Sequence, residues 1–127
     1  MGRGALIQEA KFAGSWGLTM WELHRADDRP QRAFRAAEKF LDRGNETTRD
    51  EAMRCARDLE QAAKPGEPLT ESLLLTLEII RYAVWAMLCV GESFLAEDES
   101  RVEVLIAWAE SFLGMAVSRR NSQLISR

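Results

Sequence analysis

Carboxylates are the densest chemistry-bearing residues in this 127-residue chain: Glu92, Glu97, Asp98, Glu99 and Glu103 fall within a short stretch of the second half. Glu99 and Glu103 share one face if the segment is helical, because residues four apart are neighbours on a helix. Carboxylates on neighbouring helices can hold a divalent cation, so Glu97, Glu99 and Glu103 admit a small metal-dependent hydrolase. The spacing does not favour it. All-α nucleotide pyrophosphatases carry Glu-x-x-Glu followed by Glu-x-x-Asp, and di-iron bundles need Glu-x-x-His; neither pattern occurs here. The default for such a cluster is a solvated turn, and the next reading is a docking patch for a basic protein partner. No metal and no cofactor are expected.

Other groups give little purchase for catalysis. His24 is the single histidine and falls near a predicted helix C-terminus, where an imidazolium suits the helix dipole. One histidine with Cys55 and Cys89 far away does not make a typical zinc site. Serine and threonine lack a histidine base within reach by sequence logic. The Arg-x₄₋₆-His pattern of all-α ribonucleases is missing, as is a glycine-rich phosphate loop. Asp27 and Asp28 form an adjacent acid pair just before a helix start. That position suits a cap and dipole partner better than a catalytic dyad, with Arg29 folding back on either acid or on Glu22.

Composition is that of an ordinary globular domain, 46% hydrophobic and 29% charged. Length predicts one domain over residues 1–127, with a frayed tail at about 119–127. Cys55 and Cys89 sit in helical patterns and read as small apolar side chains of a cytoplasmic protein rather than a disulfide. The N-terminus has no signal-peptide apolar region. Net charge is −3, unevenly placed. Residues 1–64 hold 12 basic against 11 acidic side chains, whereas residues 65–118 hold only Arg81 and Arg101 against nine acids. Nucleic acid needs a basic footprint, so it is not expected as a partner, and Arg119-Arg120 is too short a patch to supply one.

These residues must be positioned by helices. Leu6, Ala10, Ala13, Gly17, Met20 and Trp21 recur at helical spacing and predict a first helix from about Ala5 to His24. Gly14 and Gly17 either permit close helix approach or mark a break near Ser15. Asp28, as cap, and Pro30, in the first turn, start a second helix over Arg29–Asp42 that stops at Gly44-Asn45. Thr48 and Glu51 read as the capping box of a third helix, ended by the linker Lys64-Pro65-Gly66-Glu67-Pro68. A fourth helix starts near Thr70 and is apolar nearly all round from Leu73 to Val90, as a buried helix is. Glu78 and Arg81 interrupt it too centrally for a membrane span, and they are spaced to pair with each other. After a turn within Gly91–Glu99, with helix four reaching about Ala96, Ser100 and Glu103 read as the capping box of a fifth helix to about Ser118. No stretch alternates strictly, so the fold class is all-α: a compact bundle of about five helices around a buried fourth.

Trp85 and Trp108 lie in the most apolar helices and are expected in the core. Trp16 and Trp21 are five residues apart, about 140° around a helix, so they do not share a narrow stripe. One of them is left for an interface, and Trp16 is the candidate anchor. Leu73, Leu74, Leu75 and Leu77 cover more than one face. That excess is either a thick core or a self-association surface.

The order Trp16, Trp21, then Asp27-Asp28-Arg29-Pro30, Ala33, Ala36 and Ala37, then Gly44, then Glu51, Ala52, Ala56, Ala62 and Ala63 resembles a family of bacterial immunity proteins, the immunity-protein-5-like group, over about residues 16–90. That family is compact, alanine-rich and helical. Its later helix is typically rich in Ala and His, whereas Arg81 to Met87 here has no histidine. The resemblance implies a non-enzymatic protein that binds and neutralises a cognate toxin. The expected contact is Glu92, Glu97, Asp98, Glu99 and Glu103, with Trp16 as the apolar anchor. A phage or mobile-element inhibitor of a host defence complex fits the same small size and acidic patch.

Overall fold

The computed structural model describes residues 2–62 and 69–125. Its helices are α1 (Arg3–Glu22), α2 (Arg29–Asp42), α3 (Glu46–Gln61), α4 (Glu71–Leu95) and α5 (Glu99–Ile125). The all-α expectation holds, with five helices and α4 at the centre. The linker expected at residues 64–68 lies outside the described residues.

α4 starts at its expected cap, Thr70, which accepts from the Leu73 N–H at 3.2 Å, whereas the caps of α2, α3 and α5 differ from the sequence expectation. At the α1–α2 turn, Asp28 occupies the capping position but makes no side-chain cap bond. Its carboxylate instead pairs with Arg32 at 3.2 Å. Asp27 takes over: its Oδ1 accepts the Arg29 backbone N–H at 3.0 Å, and the Arg29 guanidinium folds onto the same carboxylate. The Trp21 indole N–H donates to the Asp27 carbonyl at 2.9 Å and ties the turn to the end of α1. The α3 cap also shifts. Asn45, not Thr48, is the N-cap, with the Asn45 side chain accepting from the Thr48 N–H at 3.0 Å and Thr48 Oγ1 accepting in turn from the Asn45 N–H at 3.2 Å. An Asn three residues earlier captures the helix because its short amide reaches the orphan donors first. At the start of α5, Asp98 rather than Ser100 accepts: its carboxylate takes both the backbone N–H and the hydroxyl of Ser100.

α4 packs against all four other helices, and most extensively against α5. Its Leu77, Ile80, Val84, Met87, Leu88 and Val90 are fully buried. α4 is the one described helix long and apolar enough to cross a membrane, but 61% of its apolar window is buried inside the bundle. Its apolar surface is therefore largely spent on other helices. Of the leucine run, Leu77 is buried, Leu73 and Leu75 are half-buried and Leu74 is exposed.

Glycines set the closest approaches. A Cβ at Gly14 of α1 would overlap the Phe34 ring of α2, one at Gly17 would meet Ile80 Cγ1 at 2.8 Å, and one at Gly91 of α4 would overlap the Phe40 ring. Gly14 and Gly17 thus permit close packing within an unbroken α1.

The expected ion pair of Glu78 with Arg81 is not formed. Glu78 pairs with Arg119 at 2.7 Å and Arg81 with Glu60 at 2.7 Å. The tail expected to fray from residue 119 instead extends α5 to Ile125. Buried Gln123 donates to the Ser72 carbonyl and hydroxyl and to Thr76 Oγ1 at 2.8–3.0 Å, which anchors this end of α5 to the start of α4. An i,i+4 stripe carries no sign of such a long-range polar clasp.

Candidate functional site

Around α4 the other helices form a chain of contacts, α5 to α1, α1 to α2 and α2 to α3. Among the described residues α3 and α5 do not approach each other, so the ring around α4 has one open seam. A cleft of about 380 Å³ occupies it. Trp85, Leu88, Cys89 and Glu92 of α4 form its floor, Met53 of α3 one wall, and Arg101, Leu105, Trp108 and Phe112 of α5 the other. The α5 residues are spaced four, three and four apart, so one helical face supplies the whole wall.

Trp108 is 49% exposed, contrary to the expected core position. The physical reason is the seam. The buried line of α5 is Leu105, Ala109, Leu113 and Ala116, and Trp108 projects beside it toward the side that α3 leaves open. Arg101 lies over its ring at 5.8 Å. Trp85 is half-buried in the floor, and its indole N–H donates to Glu60 Oε1 at 3.2 Å. Phe112 also stacks on Tyr82, with ring centroids 6.2 Å apart.

Of the five carboxylates only Glu92 lines the cleft; Glu99 and Glu103 lie on the face of α5 opposite its wall. Glu92 lines the cleft and faces Arg49 of α3 at 3.6 Å. Glu97, Asp98, Glu99 and Glu103 are all exposed around the α4–α5 turn and the first turns of α5. Among the described residues Glu97, Glu99 and Glu103 form no ion pair, and no group of three or more His, Cys, Asp or Glu side chains is placed to hold a metal ion. Burial pushes the Cys89 thiol up to about 11, with the nearby Glu92 charge adding to it. At neutral pH it is a protonated, unreactive part of the cleft floor. Cys55 is also buried and free, and burial raises its thiol too.

The structure puts the five carboxylates toward one end of the bundle without gathering them on one face, and does not bring Trp16 to them. Trp16 is half-buried against Ala13, Ile79 and Ala116, beside Tyr82. Arg3 of α1 lies over Phe94 of α4, so the start of α1 sits beside the end of α4. Trp16 is thirteen residues further along α1, about 20 Å from that end at the helical rise. Trp21 is buried. The exposed tryptophan is Trp108, which shares the cleft with Glu92 but faces away from Glu99 and Glu103. Its place in an apolar stripe hides this in the sequence, since a stripe does not say which neighbour is missing. The spacing of Arg101, Leu105, Trp108 and Phe112 was the available signal. Comparison of the chain with protein-family models, curated proteins and solved structures gives no match.

Proposed function

We propose that the chain is a small non-enzymatic protein-binding protein, most concretely an immunity protein that binds a cognate bacterial toxin domain in the cytoplasm and blocks its active site. The observation that carries this reading is the exposed acidic turn between α4 and α5. Glu97, Glu99 and Glu103 present charge not compensated by ion pairs among the described residues, and Trp108 is exposed on a different face of α5, in the cleft that Glu92 also lines. A carboxylate cluster of this kind steers a basic partner and fixes its orientation, while an exposed tryptophan beside a cleft is a common energetic anchor. The resemblance of residues 16–90 to immunity proteins supports the same reading.

An inhibitor of a host defence complex would use the same surface, and gene neighbourhood separates the two. A hydrolase built on Glu97, Glu99 and Glu103 has less support, because these side chains do not gather with a third ligand set around one point. Titration calorimetry with Mg²⁺ or Mn²⁺ is expected to give no heat; a stoichiometric heat would favour the hydrolase. The main test is co-expression with neighbouring toxin genes together with pull-down from the native host. Restored growth and a stoichiometric toxin partner are expected. No such partner and no protection would count against the toxin reading.

A further inference from the structure

α1 and α5 run in the same direction, and side chains of both line the groove between them. Toward its start lie Leu6 and Glu9 of α1 with Glu110, Leu113 and Gly114 of α5, in a cleft of about 280 Å³. Toward its end lie Gln8, Glu9 and Phe12 of α1 with Val117 and Arg120 of α5, in a cleft of about 430 Å³. Glu9 and Val117 line both clefts, so the two are one groove. From Glu110 to Arg120 it is about 15 Å long at the helical rise.

Phe12 and Gly114 are unmatched within the chain. Phe12 is 65% exposed, with the Arg120 guanidinium 5.3 Å from its ring centre. Gly114 sits in the middle of α5, where glycine is unfavourable for a helix. At other helical glycines of this fold a side chain moves in: a Cβ at Gly14 would overlap Phe34, one at Gly91 would overlap Phe40, and one at Gly17 would meet Ile80. At Gly114 nothing lies within 4 Å. The fold thus twice seats a phenylalanine ring on a helical glycine, and it leaves an exposed phenylalanine and an open glycine in one groove. Gly114 precedes Val117 by three residues and Arg120 by six, so the Phe12 ring lies about 4.5–9 Å further along the groove than the open glycine.

Charge follows the same order. Glu110 lines the half that holds Gly114, Arg120 lines the half that holds Phe12, and Glu9 lies between. Neither glutamate forms an ion pair among the described residues. An occupant of this groove has to bring a ring to Gly114 and a cation to Glu110. The same groove on a second copy, turned end for end, carries both in that order.

We propose that two copies of this chain pair through the α1–α5 groove about a two-fold axis near Val117, with Phe12 of each seated on Gly114 of the other and Arg120 of each facing Glu110 of the other. Such an interface is isologous, so each unmatched group is used twice. The pairing does not rest on the toxin-binding reading above.

Sedimentation equilibrium of the full chain, from micromolar to millimolar concentration, is expected to show a monomer–dimer equilibrium. Phe12→Ala is expected to weaken the dimer at least about tenfold. Gly114→Gln, whose side chain enters open space in the monomer, is expected to weaken it by a similar factor. The same change is expected to raise the melting temperature of the dilute monomer, because a glycine leaves the helix interior. That opposite movement separates a blocked interface from a damaged fold. Arg120→Glu and Glu110→Arg are each expected to weaken the dimer several-fold, and the two together in one chain to restore most of it. Trp108→Lys, in the separate α3–α5 cleft, is expected to leave it unchanged. A dimer that ignores both Phe12→Ala and Gly114→Gln overturns the proposal. So does a dimer that Trp108→Lys dissolves, which would put the second copy in the α3–α5 cleft, or a charge exchange that recovers nothing over either single change. A chain that stays monomeric at millimolar concentration also overturns it; loss of toxin binding in Phe12→Ala would then give the groove to the toxin.

Discussion

Where α4 meets α1 and α2, bare glycine backbone is filled by rings. Gly14 receives Phe34, Gly91 receives Phe40, and Gly17 lies against Ile80, with both rings about 1% exposed. Between α3 and α5 the arrangement is reversed: large side chains line the space, no helix fills it, and Trp108 stays half in water. Both regions are apolar and both flank the same helix. The first uses small residues to bring backbones together and so contributes stability. The second uses large residues on helices that do not meet, which leaves apolar area free for association. Apolar character alone therefore does not separate a core from a docking face; the fit of the facing surface does.

That contrast is breakable by mutation. The largest effect is expected from Phe34→Ala, which empties the space over Gly14 and should cost about 3–5 kcal/mol in urea denaturation. A cost near zero would mean that the α1–α2 contact is not the packed region described. Gly91→Ala should cost about 1–3 kcal/mol, because Phe40 is enclosed and cannot easily yield. Pairing it with Phe40→Leu should recover part of the loss, and strict additivity in the double-mutant cycle would contradict direct contact. Gln123→Leu should cost about 1–3 kcal/mol by stripping Thr76 and Ser72 of their donor, read as earlier amide exchange in the last turns of α5.

Asp27→Asn should cost about 1 kcal/mol or less, since the Arg29 pair is only partly buried. Its pH dependence is the sharper observable. Hydrogen bonding from the Arg29 side chain holds the Asp27 carboxyl below the ordinary aspartate value of 3.8. Because the folded-state value is depressed, the contribution is present in full above the ordinary value of 3.8 and is lost as pH falls from there through the lower, folded one. The difference between the parent and Asp27→Asn should accordingly shrink only on acidification below about pH 4. The smallest effect is expected from Trp108→Ala, within about 0.5 kcal/mol of the parent stability, although the same change should sharply weaken partner binding. A large loss of stability there would mean that Trp108 belongs to the core after all.

Helix periodicity was legible because each helix buries a stripe against α4, and that stripe repeats at 3.6 residues. Hence α2 runs over Arg29–Asp42 as its spacing predicts, and the position of α4 follows from its near-total apolarity. Caps were less legible. Asp28, Thr48 and Ser100 are all good capping residues, yet Asp27, Asn45 and Asp98 take the bonds, because neighbouring caps compete by fractions of a turn. The acidic cluster could be read in sequence, since adjacency along the chain puts Glu97, Asp98 and Glu99 together in any fold. The cleft between α3 and α5 could not.

What the sequence determined by itself, then, is local: five amphipathic or apolar helices, a central α4, and a turn dense in carboxylates. Only the tertiary structure decided which helices touch. It paired Glu78 with Arg119 and Arg81 with Glu60 across helices instead of with each other, and clasped Gln123 to the start of α4. It also left α3 and α5 apart, so that Trp108 lines an open cleft while Trp21 is enclosed. A side chain's period tells which way it points on its own helix. Whether another helix is there to meet it depends on contacts between residues far apart in the chain, and no local pattern encodes those.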